Sequence, residues 1–126
     1  MDKLLIVGLG GFIGAIARYG MSGIVHRQFG TAFPYGTLAV NVLGCLLIGA
    51  LMYFIESRTM MSQNLRLFIG IGCLGAFTTF STFGYETLAL LGDREFLRAS
   101  LNVLGNVILG LGAVWLGRTI LQYLGI

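Results

Sequence analysis

Residues 65–91 read LRLFIGIGCLGAFTTFSTFGYETLALL, and this stretch decides the fold. As a helix it would be about 40 Å long at 1.5 Å per residue, against a hydrocarbon core about 30 Å thick. Its centre, GAFTTFSTF (75–83), is not ordinary lipid-facing sequence. Four hydroxyls (Thr78, Thr79, Ser81, Thr82) are crowded among Phe77, Phe80 and Phe83. Ser, Thr and Gly lower helix propensity and offer the backbone competing hydrogen bonds. Excess length and the small polar cluster together predict a third helix broken near its middle, around Gly75–Thr79. Irregular backbone at membrane depth survives only where it is buried in protein or lines a cavity. Carbonyls freed there are candidates to hold a cation.

Three further apolar runs accompany it, at about 4–25, 35–55 and 96–124, each long enough to cross a bilayer as a helix. The chain has 126 residues, 56% of them hydrophobic and 10% charged, where a soluble domain carries roughly 25% charged. Strands are disfavoured because no run alternates polar with apolar. The expectation is an all-α membrane protein, one domain over 1–126, with four transmembrane helices. The connections are FGTAFP (29–34), SRTMMSQN (57–64) and GDRE (92–95). No cleavable signal peptide is expected, since the first apolar run outlasts a signal core. The net charge of +3 is scattered and offers no nucleic-acid patch. Cys45 and Cys73 lie deep in apolar runs and read as small hydrophobes, not as a disulfide.

Four spans put both termini on one side. That side carries Lys3, Arg58, Arg66 and Arg118, and the other carries Arg27, Arg94 and Arg98. Cytoplasmic loops normally collect Lys and Arg, so this split barely selects an orientation. Either one orientation wins for reasons the count misses, or the chain inserts both ways and pairs as an antiparallel dimer. The glycines Gly10 and Gly14, Gly44 and Gly49, and Gly105, Gly110 and Gly112 read as close helix packing within and between subunits.

Polar groups inside spans are costly and usually functional. Arg18, deep in the first helix, either snorkels to the headgroups or draws an anion inward. Asn41 in GTLAVNVLG can donate two hydrogen bonds, to an ion or to another helix. Asn102 and Asn106, four apart, share a face and read first as helix–helix glue. Glu86 is expected at the membrane interface. Beyond Thr79, helical spacing puts Phe80 and Phe83 on one face, with Thr79 and Thr82 on an adjoining face and Ser81 elsewhere. A ring edge is electropositive, so these groups suit an anion. They equally suit core packing, with the hydroxyls bonded to their own helix.

The segments GGFIGAIARY (10–19), GTLAVNVLGCLLIG (36–49) and GCLGAFTTFSTF (72–83) resemble, in order and spacing, the Fluc or CrcB-type fluoride channels. The resemblance covers essentially the whole chain, and TTFSTF is its most specific motif. It implies an antiparallel, dual-topology homodimer embedded in the lipid of a bacterial inner membrane. Two fluoride pathways would run at the subunit interface, exporting fluoride passively. Phe80 and Phe83 would line the pore with their ring edges, and Asn41 would donate to the ion. Ser81 and Thr82 would belong to a polar track, with Arg18 matching the family's first-helix arginine and Asn106 also lining the pathway. The backbone carbonyls of Gly75 and Thr78 would hold one structural sodium ion on the two-fold axis.

Two other readings compete. A small dual-topology multidrug or cation transporter would need a carboxylate in the first helix, and 4–25 contains no Asp or Glu. A non-transporting packing subunit would explain the glycines but leave the TTFSTF hydroxyls without a task. An enzyme is not expected: His26 is the only histidine, and no catalytic or metal cluster can be assembled around it.

Overall fold

The computed structural model describes residues 2–58 and 60–126, and four helical spans account for most of them. Helix α1 (Asp2–Phe29) outlasts its apolar run at both ends. Asp2 in its first turn and His26 and Arg27 in its last turn complement the helix dipole, so the helix continues where the apolar residues stop. It ends at Gly30, whose positive φ of 85° suits the residue after a helix. Helix α2 (Tyr35–Ser57) starts directly after Pro34, a residue that lacks the amide a helix start leaves unpaired.

The third span begins as α3 (Gln63–Arg66), capped by Ser62 Oγ accepting from the Leu65 amide at 3.2 Å. It widens into a π-helical stretch, Leu67–Leu74, and closes with the single turn α4 (Gly75–Phe77). Thr78 (φ −88°, ψ 158°) and Thr79 (φ −150°, ψ 114°) are extended. Helix resumes as α5 (Phe80–Gly92). The fourth span comprises α6 (Phe96–Leu104), a second π-helical stretch (Gly105–Leu109) and α7 (Gly110–Tyr123).

Two glycine crossings hold the bundle. Gly10 and Gly14 of α1 meet the π-helical stretch at Phe68, Gly72 and Cys73, where any Cβ would strike backbone. Gly49 of α2 and Gly117 of α7 meet each other's helices at Val114 and Leu46 in the same way. Lipid supplies no hydrophobic drive between helices, so such close approach supplies the attraction through dispersion. Helix α1 thus packs on the first half of the third span, α2 packs on α7, and α5 leans chiefly on α6.

The distribution of apolar residues is that of a membrane protein. Among the described residues only Val40, Phe77, Ala99 and Ala113 are buried hydrophobics. Leu4, Phe12, Ile16, Leu97, Ile108 and Leu111 face outward. Each of the four spans is long and apolar enough to cross a bilayer.

Candidate functional site

The extended pair Thr78–Thr79 sits where α2, the two halves of the third span and the second π-helical stretch converge. Its stability is a matter of backbone accounting, because a polar group left unpaired in an apolar setting is costly. Asn41, two turns into α2, meets most of that demand. Its Oδ1 accepts from the Thr79 amide at 2.8 Å, and its Nδ2 donates to the Thr79 carbonyl at 3.1 Å. The second Nδ2 hydrogen goes to Asn106 Oδ1 at 2.9 Å. Asn41 therefore has both amide hydrogens committed within the chain.

The relay continues. Asn106 Nδ2 donates to the carbonyl and the Oδ1 of Asn102, at 2.9 and 3.0 Å. Asn102 Nδ2 donates to Thr87 Oγ1 at 2.9 Å, and the Thr87 hydroxyl donates to the Phe83 carbonyl at 2.8 Å. Asn102 is fully buried, 0% exposed. A polar chain thus joins Thr79 to Phe83 by way of α2 and the fourth span.

Two groups secure the end of α4. Arg18 Nε donates to the Ala76 carbonyl at 2.9 Å, a cation at a helix C-terminus. The Thr78 hydroxyl donates to the Leu74 carbonyl at 3.1 Å. On the other side, Thr79 caps α5: its Oγ1 accepts from the Thr82 amide at 3.2 Å and donates to Thr82 Oγ1 at 3.0 Å. Ser81 is exposed, with its Oγ 3.5 Å from Thr79 Oγ1.

This arrangement frees two carbonyls. An uninterrupted helix would aim the amides of Thr79 and Thr82 at the carbonyls of Gly75 and Thr78. The first amide goes to Asn41 and the second to Thr79 Oγ1. Gly75 is exposed and Thr78 half-buried on the surface of the single chain. Beside them opens a groove of about 370 Å³, lined by Asn41, Gly44, Thr78, Thr79, Phe80, Phe83 and Asn106 among others. The Phe80 and Phe83 rings are 5.4 Å apart between centroids at 59°, and Phe80 is 81% exposed.

Most of the residues singled out in the sequence meet at this groove. Arg18 reaches the end of α4, and Ser81 and Thr82 stand in the first turn of α5. Glu86, expected at the membrane interface, is half-buried and accepts a hydrogen bond from the Thr37 hydroxyl. Thr37, only 3% exposed, went unnoticed in the sequence. Its position four residues before Asn41, on the same helical face, was the available signal. Beyond that pair a second opening of about 540 Å³ carries Glu86, Asp93, Glu95, His26 and Arg98 at one end of the bundle. Cys45 and Cys73 are free thiols.

Fold and site define a multi-pass membrane protein of four spans, with its polar residues gathered about Thr78–Thr79. Residues 5–118 match the family described as CrcB-like protein, Camphor Resistance (CrcB). The chain belongs to that family. It is 53% identical over 117 residues to a Geobacter sulfurreducens protein named fluoride-specific ion channel FluC, covering 93% of this chain and 94% of that one. A Geotalea daltonii protein of the same name is 47% identical over 124 residues, 98% of this chain and 100% of the relative. A Methanosarcina barkeri protein named fluoride-specific ion channel FluC 3 is 46% identical over 120 residues, 95% of this chain and 90% of the relative.

Proposed function

We propose that the protein is a fluoride-selective channel of the cell membrane that lets fluoride leave passively, built as an antiparallel homodimer of oppositely inserted copies. One observation carries the reading. At Thr78–Thr79 freed carbonyls, the start of α5 and the Phe80–Phe83 pair lie together on an open groove, in a chain similar over almost all its length to proteins named fluoride channels.

The chemistry follows from the two sides of the extended pair. Toward α5 everything offered is electropositive. The helix N-terminus leaves the Phe80 and Ser81 amides as donors of its first turn. The hydroxyls of Ser81 and Thr82 and the ring edges of Phe80 and Phe83 add weak positive poles. None is a full charge, so binding strong enough for entry stays weak enough for exit. Asn41 acts as the brace that keeps Thr79 extended and Asn106 aligned. Arg18 fixes the end of α4 and adds a positive field near the groove.

Toward α4 the poles are negative. The carbonyls of Gly75 and Thr78 have lost their helical donors, they are hard oxygen ligands, and the residues that carry them line the open groove. They fit a sodium ion shared with a second copy, and Gly75 and Thr78 of each copy would hold it. When bound, the ion would supply a positive charge that offsets the dipoles of the Gly75 and Thr78 carbonyls that hold it. The exposure of Phe80 supports a partner over this face, and a two-fold pair of grooves gives two pathways. The near balance of Lys and Arg between the two sides supports opposite insertion.

The test is anion release from liposomes containing only this protein. Fluoride should leave rapidly while chloride is retained. Folded dimers that release no fluoride, or both ions equally, would overturn the reading.

A further inference from the structure

We infer that Gly44 is a positioning residue for the cation site: its missing side chain makes room for the Thr78 methyl group and so fixes where the Thr78 carbonyl points. The inference rests on the sodium reading above and extends it to a residue of α2 that supplies no ligand.

The argument begins with Thr78. Its side chain is branched at Cβ, so once one branch is fixed the other follows. The hydroxyl branch is fixed, donating to the Leu74 carbonyl at 3.1 Å. The methyl branch therefore points at α2, and it lands on Gly44. A Cβ built there would overlap Thr78 Cγ2 and lie 3.5 Å from the Phe77 ring. Gly44 is buried, and α2 is held one turn further on by the close crossing of Gly49 with α7, so α2 does not simply retreat.

Thr78 cannot escape the overlap cheaply. Turning χ1 to remove the methyl breaks the hydrogen bond to Leu74. Moving the backbone instead moves the Thr78 carbonyl, because this residue is extended: its amide still donates to the Leu74 carbonyl at 3.2 Å, but its carbonyl has left the helical ladder. On its other side the chain is held by Asn41 through both backbone groups of Thr79. The Thr78 carbonyl is thus clamped between a fixed Thr79 and a fixed Leu74–Thr78 contact, and the Gly44 gap completes the clamp. The crossing glycines Gly10, Gly14, Gly49 and Gly117 meet backbone, whereas Gly44 meets a single methyl group most closely. That difference makes it a local determinant, not a bundle-packing residue.

The experiment titrates sodium against a large organic cation at constant ionic strength and reads the melting temperature of the detergent-solubilised dimer, alongside equilibrium binding of radioactive sodium. Neither readout depends on fluoride flux. Gly44→Ala should weaken sodium binding about tenfold or more while the dimer stays intact by size-exclusion chromatography. In a Thr78→Ser background, which keeps the hydroxyl and deletes the methyl, the same Gly44→Ala change should cost less than about twofold. Should Gly44→Ala alone fail to yield a dimer, recovery of the dimer in the double variant supports the clamp, and failure to recover it overturns the clamp. Two further results sink the inference while the cation site stands: sodium binding by Gly44→Ala within about twofold of the parent, or a loss that persists undiminished in the Thr78→Ser background. A parent protein whose melting and binding ignore sodium rejects the cation site itself, and Gly44 with it.

Discussion

Asn41 on α2 holds both backbone groups of Thr79, accepting from its amide at 2.8 Å and donating to its carbonyl at 3.1 Å. A side-chain amide thus supplies what the helix ladder cannot at an extended residue. Asn41→Asp keeps the acceptor but loses both donors and adds a negative charge. The Thr79 carbonyl and Asn106 Oδ1 would then face a carboxylate. Fluoride flux should fall by about tenfold or more, equivalent to about 1.4 kcal/mol or more in barrier. Flux at or above the parent's, measured by liposome efflux on folded protein, refutes the brace.

Phe80 and Phe83 can be separated from their bulk. Phe80→Ile keeps an apolar side chain of similar reach and removes the ring edge. Edge-to-face aromatic pairs gain about 0.5–1.5 kcal/mol from the ring quadrupole; a ring edge facing fluoride draws on the same quadrupole, so its loss should slow fluoride by up to about tenfold. Phe80→Tyr, which retains the ring, should slow it less. Equal flux in all three proteins would assign Phe80 to packing.

Arg18 offers a different contrast. Its Nε caps the Ala76 carbonyl at 2.9 Å, and hydrogen bonds to charged groups contribute about 1.5–3 kcal/mol. Arg18→Met should lower the melting temperature of the protein and weaken flux together. Arg18→Gln, which restores a donor without charge, should recover most of the stability but only part of the flux. Full recovery of both by Gln would show that the positive field has no role in the groove.

The sequence exposed some of this and concealed the rest for definite reasons. Four spans follow from run length alone, because hydrocarbon sets how long an apolar helix must be. The extended residues Thr78 and Thr79 fall within the stretch 75–79 that composition singled out, since Gly and Thr weaken a helix from within. Partnerships were hidden. Nothing local says that Arg18 would reach a carbonyl 58 residues away, or that Asn41 would spend both its donors inside the chain. The glycine pattern was half legible: spacing picks out Gly10, Gly14 and Gly49, but not Gly72 and Gly117, which complete the two crossings. A close approach needs two surfaces, and spacing on one helix reveals only one. Gly112, singled out by the same spacing, meets nothing within 4 Å in the single chain. Glu86 shows the converse: its place near a span end suggested headgroups, and only the fold reveals the Thr37 hydroxyl beneath it.

Asn102 gives the last expectation. It is completely buried and sits between Asn106 and Thr87, accepting from one and donating to the other. Asn102→Leu matches its size but leaves the half-buried Asn106 amide with one bond fewer and the half-buried Thr87 hydroxyl without its donor. A fully buried orphan costs about 1–3 kcal/mol, and these two half-buried losses together fall in that range. The protein should therefore lose stability in thermal or denaturant unfolding, more than the approximately 1 kcal/mol of an average substitution. If the relay is a unit, Asn106→Leu should cost less in the Asn102→Leu background than in the parent, because the side-chain bond between them is already gone and only the bond to the carbonyl of residue 102 remains. Contacting residues in one network show such coupling at about 0.5–3 kcal/mol. Additive losses would mean that Asn102 and Asn106 stabilise the bundle separately, and that Thr79 and Phe83 are not joined through them.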